Sequence, residues 1–155
     1  DNEGPRMTAL AADDNIAAMV RIYYVPRASI DDHWPAILEL LAPAIEREAR
    51  NIGPEHVYDD IAAGNSLAWV VEVEDMLVGS FVTSLVQHPR RRTLRIDYLA
   101  GSELSEWWAE ALSAVEISAK QCEAQAIEAN GRDGWTQYAR KVGFERRWSH
   151  FELEI

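Results

Sequence analysis

Periodic patterns of apolar residues divide the first third of the chain into one strand and two helices. Residues 19–25 are rich in β-branched and aromatic side chains and are followed by a proline, as is typical of a strand. Apolar side chains then recur every three or four positions over residues 32–50, which predicts a helix that Ser29 or Asp31 would cap. A second, short helix is predicted over residues 54–63, because this stretch begins with a proline and is followed by a glycine.

Three strands are predicted in the middle of the chain, over residues 67–73, 76–87 and 93–99. Short turns separate them, which predicts an antiparallel meander. Residues 67–73 are almost continuously apolar, and a strand of this kind is expected to be covered on both faces.

The last third predicts a long helix, a short strand, a short helix and two closing strands. Ser102 is expected to cap the long helix, and Gly143 is expected to end the short one. In chain order these elements cover residues 103–124, 126–129, 135–142, 144–148 and 151–155. Residues 1–18 show no sustained period and are interpreted as a mobile arm, so that residues 19–155 form one domain.

Composition narrows the class of protein. Hydrophobic residues make up 48% of the 155 residues and include six tryptophans, which indicates a packed globular domain. A single cysteine, Cys122, excludes an internal disulfide and fits a reducing compartment, so we expect a cytoplasmic protein. No apolar run approaches the roughly 20 residues that cross a bilayer, and the histidines have no metal-ligand spacing. We therefore expect neither a membrane partner nor a metal site.

Charge restricts the partners further. The formal net charge of −11 disfavours a nucleic-acid partner, because affinity for nucleic acids comes mostly from neutralising phosphates. It also opposes a polyanionic cofactor unless positive charge is concentrated locally. The one dense basic run is Arg90, Arg91 and Arg92. Two interpretations of this run remain open: the solvated rim of a hairpin, or a contact with phosphate or an acidic partner.

The order of elements, together with Gly143-Phe144 after the short helix, resembles the GNAT acyltransferase superfamily. The resemblance implies an α/β fold with the order β-α-α-β-β-β-α-β-α-β-β, in which a single mixed, mostly antiparallel sheet is flanked by helices. It also implies an amine acceptor and an acyl-CoA cofactor, which enters where the parallel fourth and fifth strands splay apart. More narrowly, residues 88–92, the turn at residues 131–135 and the tryptophan-rich helix resemble small GNAT-like proteins encoded by tailed bacteriophages near their virion genes.

The segment that would hold the pyrophosphate of coenzyme A departs from the superfamily pattern. Active members present a glycine-rich loop at the start of the central helix, where free N–H groups and the helix dipole attract an anion. The matching cofactor-binding positions are Leu99, Gly101 and Ser102, with a single glycine among them. Glu103 and Glu106 follow in the first helical turn, where their charge would repel an anion. We therefore predict a degenerate site, with acetyl-CoA or another acyl-CoA as cofactor if the protein is active and no cofactor otherwise.

Two residues are candidates for the catalytic chemistry. Asp97, on the predicted fourth strand, is either the base that accepts a proton from the acceptor amine or the partner of a nearby arginine, such as one of the 90–92 run. Strand alternation puts Asp97 on one face with Arg95 and Leu99, unless a bulge separates them. Tyr138 lies one position away from the tyrosine that protonates the leaving thiolate in the superfamily, so it fits that role only if the register slips.

A protein-interaction surface is the alternative to an active site. Trp135, in a glycine-flanked turn with Arg132, is either a core anchor or an interface residue. The candidate surface for a protein partner comprises Arg90, Arg91, Arg92, Arg132 and Trp135. Two functions remain open: an acyltransferase-like protein with a degenerate acyl-CoA site, encoded by a phage, or a non-catalytic virion component or interaction module built on the same fold. Either would act in the host cytoplasm or the virion.

Overall fold

In the computed structural model, which describes residues 19–48, 51–131, 135–149 and 151–155, one five-stranded sheet forms the centre of the protein. Its strands lie side by side in chain order: β1 (Val20–Tyr24), β2 (Ser66–Val73), β3 (Met76–Gln87), β4 (Arg92–Gly101) and β5 (Ala126–Ala129). Neighbours among β1 to β4 are antiparallel, whereas β4 and β5 are parallel. The prediction of a single mixed, mostly antiparallel sheet is confirmed.

Four α-helices flank the sheet within the described ranges: α1 (Ile30–Glu46), α2 (Pro54–Ala62), α3 (Leu104–Gln121) and α4 (Thr136–Lys141). Pro54 occupies the first turn of α2, and Gly64 has a left-handed φ of 85° just beyond its end, as the sequence predicts. α1 begins at Ile30, slightly before the predicted residue 32, because a 3-10 turn at Arg27–Ser29 leads directly into the helix. Ser29, and not Asp31, is therefore the N-cap residue of α1, and its side chain makes no capping hydrogen bond.

Buried apolar side chains form two layers, one on each face of the sheet. The layer under α3 includes Trp69, Val71, Phe81, Leu94, Ile96, Trp107, Ala111 and Val115. The layer under α1 and α2 includes Ile37, Leu41, Ile45, Val57, Ile61, Ala68, Val70, Val82 and Tyr98. Successive residues of β2 belong to opposite layers, so this strand is covered on both faces as predicted.

The two closing strands that the sequence predicts over residues 144–148 and 151–155 do not form in the described part of the chain. Gly143 ends α4 with a left-handed φ of 96°, as predicted, and the N–H of Phe144 donates to the carbonyl of Ala139 at 3.0 Å to close the helix. Apolar and charged residues alternate over residues 151–155, but a strand forms only when a neighbouring strand pairs with its backbone. Within the described ranges β5 pairs with β4 alone, so the predicted strands lack that neighbour.

None of the helices in the described part of the chain is long and apolar enough to cross a bilayer.

Candidate functional site

A bulge in β4 lies where β4 and β5 separate. The register between β3 and β4 shifts at this point, because Val82 faces Tyr98 while Thr83 faces Ile96. Asp97 is therefore the extra residue of the bulge. The parallel pairing of β5 with β4 ends at the neighbouring Ile96. Asp97 thus stands at the vertex of the splay between the two strands.

Asp97 is buried and fully engaged by its neighbours. Its side chain is 7% exposed, and Arg95 donates from Nε to Oδ1 at 2.6 Å. Ser84 donates from its hydroxyl to Oδ2, also at 2.6 Å. The carboxylate partner is thus Arg95, and not an arginine of the 90–92 run. Asp97 shares its face with Arg95, as strand alternation predicts, whereas the bulge places Leu99 against the α3 layer on the opposite face.

A cavity of about 380 Å³ opens in front of Asp97 on the α1 and α2 side of the sheet. Its polar lining consists of Asp60, Asn65, Ser66, Ser84, Gln87, Arg95 and Asp97. Its apolar lining consists of Ile52, Val57, Val82, Leu85, Val86 and Tyr98. A cavity of this size and mixed lining suits a small polar molecule.

A second group of polar side chains continues along the same face of β4 and β5. Glu128 of β5 accepts hydrogen bonds at 2.6 Å from the hydroxyl of Thr93 and lies 2.6 Å from Nε2 of His88. Burial acts to raise the pKa of Glu128, but the bonds from Thr93 and His88 and the charge of nearby Arg95 outweigh it and lower that pKa overall. The carboxylate of Glu128 is therefore stabilised in its charged form.

The cofactor-binding positions predicted from the sequence lie where β4 meets α3. Gly101 is still paired with Gly79 in the sheet, and a Cβ added to Gly101 would lie 2.3 Å from the carbonyl oxygen of Val78. The N–H of Ser102 donates to that same oxygen at 2.9 Å. Ser102 therefore extends the sheet, and the prediction that it caps α3 is wrong. The N-cap residue is instead Glu103, which has a φ of 55° and makes no side-chain capping bond.

The start of α3 is acidic. Glu103 and Glu106 lie together there, and the charge of Glu103, followed by desolvation and a hydrogen bond between the two side chains, raises the pKa of Glu106. Two carboxylates this close produce a negative potential at the start of the helix.

Trp107 fills the space beneath the start of α3. Its side chain is fully buried, and its indole N–H donates to the carbonyl of Ser102 at 2.8 Å. A Cβ added to Gly79 would lie 2.5 Å from Cζ2 of Trp107, so helix and sheet are in direct contact here. The neighbouring Trp108 contacts Phe144 with ring centroids 6.5 Å apart, and its indole N–H is buried with no hydrogen-bond partner in the described part of the protein.

The second catalytic candidate is separate from the Asp97 cavity. Tyr138 lies on α4, where its ring packs against Trp135 at 5.9 Å between centroids. It is not among the described residues that line the cavity of Asp97. Trp135 is half-buried, which does not distinguish a core anchor from an interface residue. Arg132 lies outside the described residues.

One arginine of the basic run, Arg92, has a structural role. Arg92 donates from Nη1 to the carbonyl of Cys122 at 3.0 Å, at the C-terminal end of α3, and from Nε to Gln87 at 3.1 Å. A cation at this end of a helix is stabilised by the helix dipole. Arg90 and Arg91 are exposed on the turn between β3 and β4, which agrees with the interpretation as a hairpin rim.

Sequence reasoning missed the partners of Asp97 and the group around Glu128. One signal was present in the sequence, because Thr93, Arg95 and Asp97 place a polar side chain at every second position of β4. Three polar residues on one face of an interior strand predict a polar cavity or a buried network. The contribution of Ser84 and Glu128 from neighbouring strands depends on the register and could not be read from the chain.

Comparison with solved structures identifies the fold. An aminoglycoside acetyltransferase from an uncultured soil metagenomic sample, in complex with sisomicin, superposes with a TM-score of 0.66 at 15% identity, over 88% of this chain and 96% of that one. The ribosomal-protein-alanine N-acetyltransferase from Brucella melitensis biovar Abortus 2308 has a TM-score of 0.65 at 15% identity, over 88% and 99% of the two chains.

A predicted acetyltransferase from Clostridium acetobutylicum, with acetyl-CoA, has a TM-score of 0.64 at 14% identity, over 88% of this chain and 96% of that one. No family model and no curated protein matches the sequence. At these identities the likeness is one of fold, and the fold is that of the GNAT acetyltransferases.

Proposed function

We propose that this protein is acyltransferase-like, with the GNAT fold but a degenerate acyl-CoA site, and that it acts without turning over acyl-CoA. The observation that carries the proposal is the arrangement at the start of α3. Glu103 and Glu106 put two carboxylates where a pyrophosphate would bind, and the N–H of Ser102 is already bonded to Val78. Both carboxylates would repel an anion, and the N–H of Ser102 is not free to compensate for that repulsion.

The function would then lie in contacts with another protein. The candidate surface is the one predicted from the sequence: Arg90, Arg91, Arg92, Arg132 and Trp135. Arginine is enriched among interface anchors, and Arg90 and Arg91 are exposed on the turn between β3 and β4. The narrower resemblance to phage-encoded proteins favours a virion component or an interaction module.

Titration with acetyl-CoA tests the proposal directly. We expect no measurable heat in calorimetry and no rise in melting temperature at millimolar acetyl-CoA. A micromolar dissociation constant, or a rise of several degrees, would contradict a degenerate site. The double variant Glu103→Gln with Glu106→Gln is the matched comparison: if repulsion excludes the anion, this variant binds acetyl-CoA more tightly than the parent.

An active N-acyltransferase is the second candidate, and the position of Asp97 favours it. The side chain stands at the vertex of the splay and faces a cavity of about 380 Å³ on the side away from α3. An acceptor amine in this cavity would lose its proton to Asp97 as it attacked an acyl group. Asp97 would first have to exchange a hydrogen bond from Ser84 or Arg95 for one from the amine.

Two sets of variants separate the candidates. Asp97→Asn should abolish acyl transfer to small amines if the enzyme interpretation is right, whereas Asp60→Asn, which changes another carboxylate of the same cavity, should retain it. Arg91→Ala combined with Arg132→Ala should weaken assembly or partner binding if the interaction interpretation is right. If the arginine variants leave partner binding unchanged while Asp97→Asn abolishes transfer, the enzyme candidate stands and our proposal fails.

A further inference from the structure

β3 continues past the end of β2, so its last residues form a free edge of the sheet. The pairing of β2 with β3 ends where Ser66 faces Ser84, whereas the pairing of β4 with β3 continues to Gln87. Asn65 leaves the line of β2, because its N–H donates to a backbone carbonyl of α2 at 2.8 Å. Among the described residues, no strand lies beside residues 85–87 on the side away from β4. A free edge of this kind can accept an extended chain as an additional strand.

Cavities lie on both faces of the sheet beside this edge. The cavity of Asp97 is on the α1 and α2 side, and Val86 is part of its lining. A second cavity of about 260 Å³ extends onto the α3 side, where its lining includes Leu94 of the α3 layer and Ser118 of α3. Leu85 lines both cavities, so the two meet at the free edge of β3.

The two cavities differ in chemistry. The cavity of Asp97 presents polar groups next to the edge, among them Ser84, Arg95 and Asp97 itself. The second cavity presents aliphatic side chains: Val25, Ile61, Leu67, Leu94 and Leu85, the last of which is 47% exposed. Successive side chains of a strand point to opposite faces of its sheet. A strand added beside residues 85–87 would therefore place a polar side chain in one cavity and an aliphatic side chain in the other.

The charge beside this edge favours an acidic partner. Arg90 and Arg91 are exposed on the turn that follows β3, and neither has an ion-pair partner among the described residues. The nearby carboxylate of Glu128 is already engaged by Thr93 and His88. Acidic side chains at the end of an added strand that lies next to the turn would complement the two free arginines.

We propose that an extended segment of a partner protein adds to the free edge of β3 beside residues 85–87, with acidic residues next to Arg90 and Arg91 and an aliphatic residue in the second cavity. Main-chain hydrogen bonds to the edge would hold the segment, and the two cavities would select its side chains. The residue opposite Val86 would point into the cavity of Asp97, because residues opposite each other in a sheet share a face. The proposal rests on the proposed function, since Arg90 and Arg91 belong to the candidate surface for a protein partner.

A capped peptide of two glutamates followed by valine, serine and leucine is the probe. When this peptide runs antiparallel to β3, its glutamates lie next to the turn and its serine faces the cavity of Asp97. Its valine and leucine then face the second cavity. The dissociation constant is measured from the shifts of backbone amide signals in an NMR titration of the full chain. We expect binding that saturates at about millimolar peptide, with the largest shifts at residues 85–87.

Three variants test the parts of the site. Leu85→Gln should weaken binding roughly fivefold, because an aliphatic contact is lost. Leu77→Gln is the matched control, since Leu77 is a leucine of the same strand that is 37% exposed at its other end, and this variant should bind like the parent. Arg90→Ala combined with Arg91→Ala should weaken binding roughly tenfold. A second peptide, with glutamines in place of the glutamates, should bind this double variant and the parent equally.

The outcomes that overturn the proposal are distinct from those that overturn the proposed function. A titration that does not saturate at millimolar peptide overturns the proposal, and so does a loss in Leu77→Gln as large as that in Leu85→Gln. Binding that depends on Arg90 and Arg91, but neither responds to Leu85→Gln nor shifts an amide of residues 85–87, also overturns it and leaves the candidate surface intact. Micromolar binding of acetyl-CoA, in contrast, would contradict the proposed function whatever the peptide does.

Discussion

Replacing Gly79 with alanine is expected to destabilise the protein, because the added methyl group would have no room against Trp107. The new Cβ would lie 2.5 Å from Cζ2 and 3.0 Å from Cη2 of the indole ring, well inside van der Waals contact. Trp107 cannot move away easily, since it is fully buried and bonded to Ser102. Overpacking of this kind costs about 1–3 kcal/mol, and the loss of glycine freedom in the unfolded chain returns about 0.4–1 kcal/mol. We expect a net loss of up to about 2.6 kcal/mol in the free energy of unfolding.

The clash predicts a specific coupling with Trp107. Trp107→Phe removes the outer edge of the indole and its hydrogen bond to Ser102, and should by itself cost about 1–3 kcal/mol. In the double variant, the methyl group at position 79 would occupy part of the space that the smaller ring leaves. The double variant should therefore lose less stability than the sum of the two single losses, with a coupling energy of at least about 1 kcal/mol.

Urea denaturation followed by far-ultraviolet circular dichroism measures all three variants. Gly131→Ala is the control, because a Cβ there would lie 3.4 Å from the ring of Trp135, in ordinary contact, and should change stability little. If the stability losses of Gly79→Ala and Trp107→Phe are strictly additive, the close contact between α3 and the sheet at Gly79 and Trp107 is refuted.

Three further predictions concern a backbone position and two carboxylates. Gly143→Val should lower the free energy of unfolding by about 1–2 kcal/mol. The cause would be strain at a φ of 96° and not a clash, because the added Cβ would meet no other atom. Unchanged denaturation would contradict the assigned end of α4. The folded state lowers the pKa of Glu128 below 4.5, so the parent should be more stable than Glu128→Gln at pH 7. This difference in stability should disappear as the pH falls through the lowered pKa, and a difference that grows in acid would refute the direction of the shift. Glu103→Gln should return the pKa of Glu106 toward 4.5 in an NMR titration, and an unchanged pKa would show that Glu103 is not its main cause.

Local signals in the sequence determined most of the elements. Pro54 fixed the start of α2 because proline lacks the N–H that the first helical turn leaves unpaired. Gly143 marked the end of α4 because glycine takes a left-handed φ without strain. The continuous apolar run of β2 predicted a strand covered on both faces, and both layers of the core contain its side chains.

Predictions failed where an element depends on a partner distant in sequence. Serine is a typical helix-capping residue, but β4 pairs with β3 far enough along the chain that the N–H of Ser102 bonds to β3. The alternating residues 151–155 have the pattern of a strand, yet a strand also needs a neighbour, and in the described chain none pairs with them.

The candidate site divides in the same way. The sequence alone determined that Asp97 carries a carboxylate on an interior strand, and that Glu103 and Glu106 put negative charge at the start of a helix. Only the tertiary structure decided that Asp97 faces a cavity within reach of Ser84 and Arg95, and that a bulge separates it from Leu99. The physical reason is that a single extra residue in β4 changes which face a side chain occupies, and the bulge depends on pairing with β3 that no local pattern encodes.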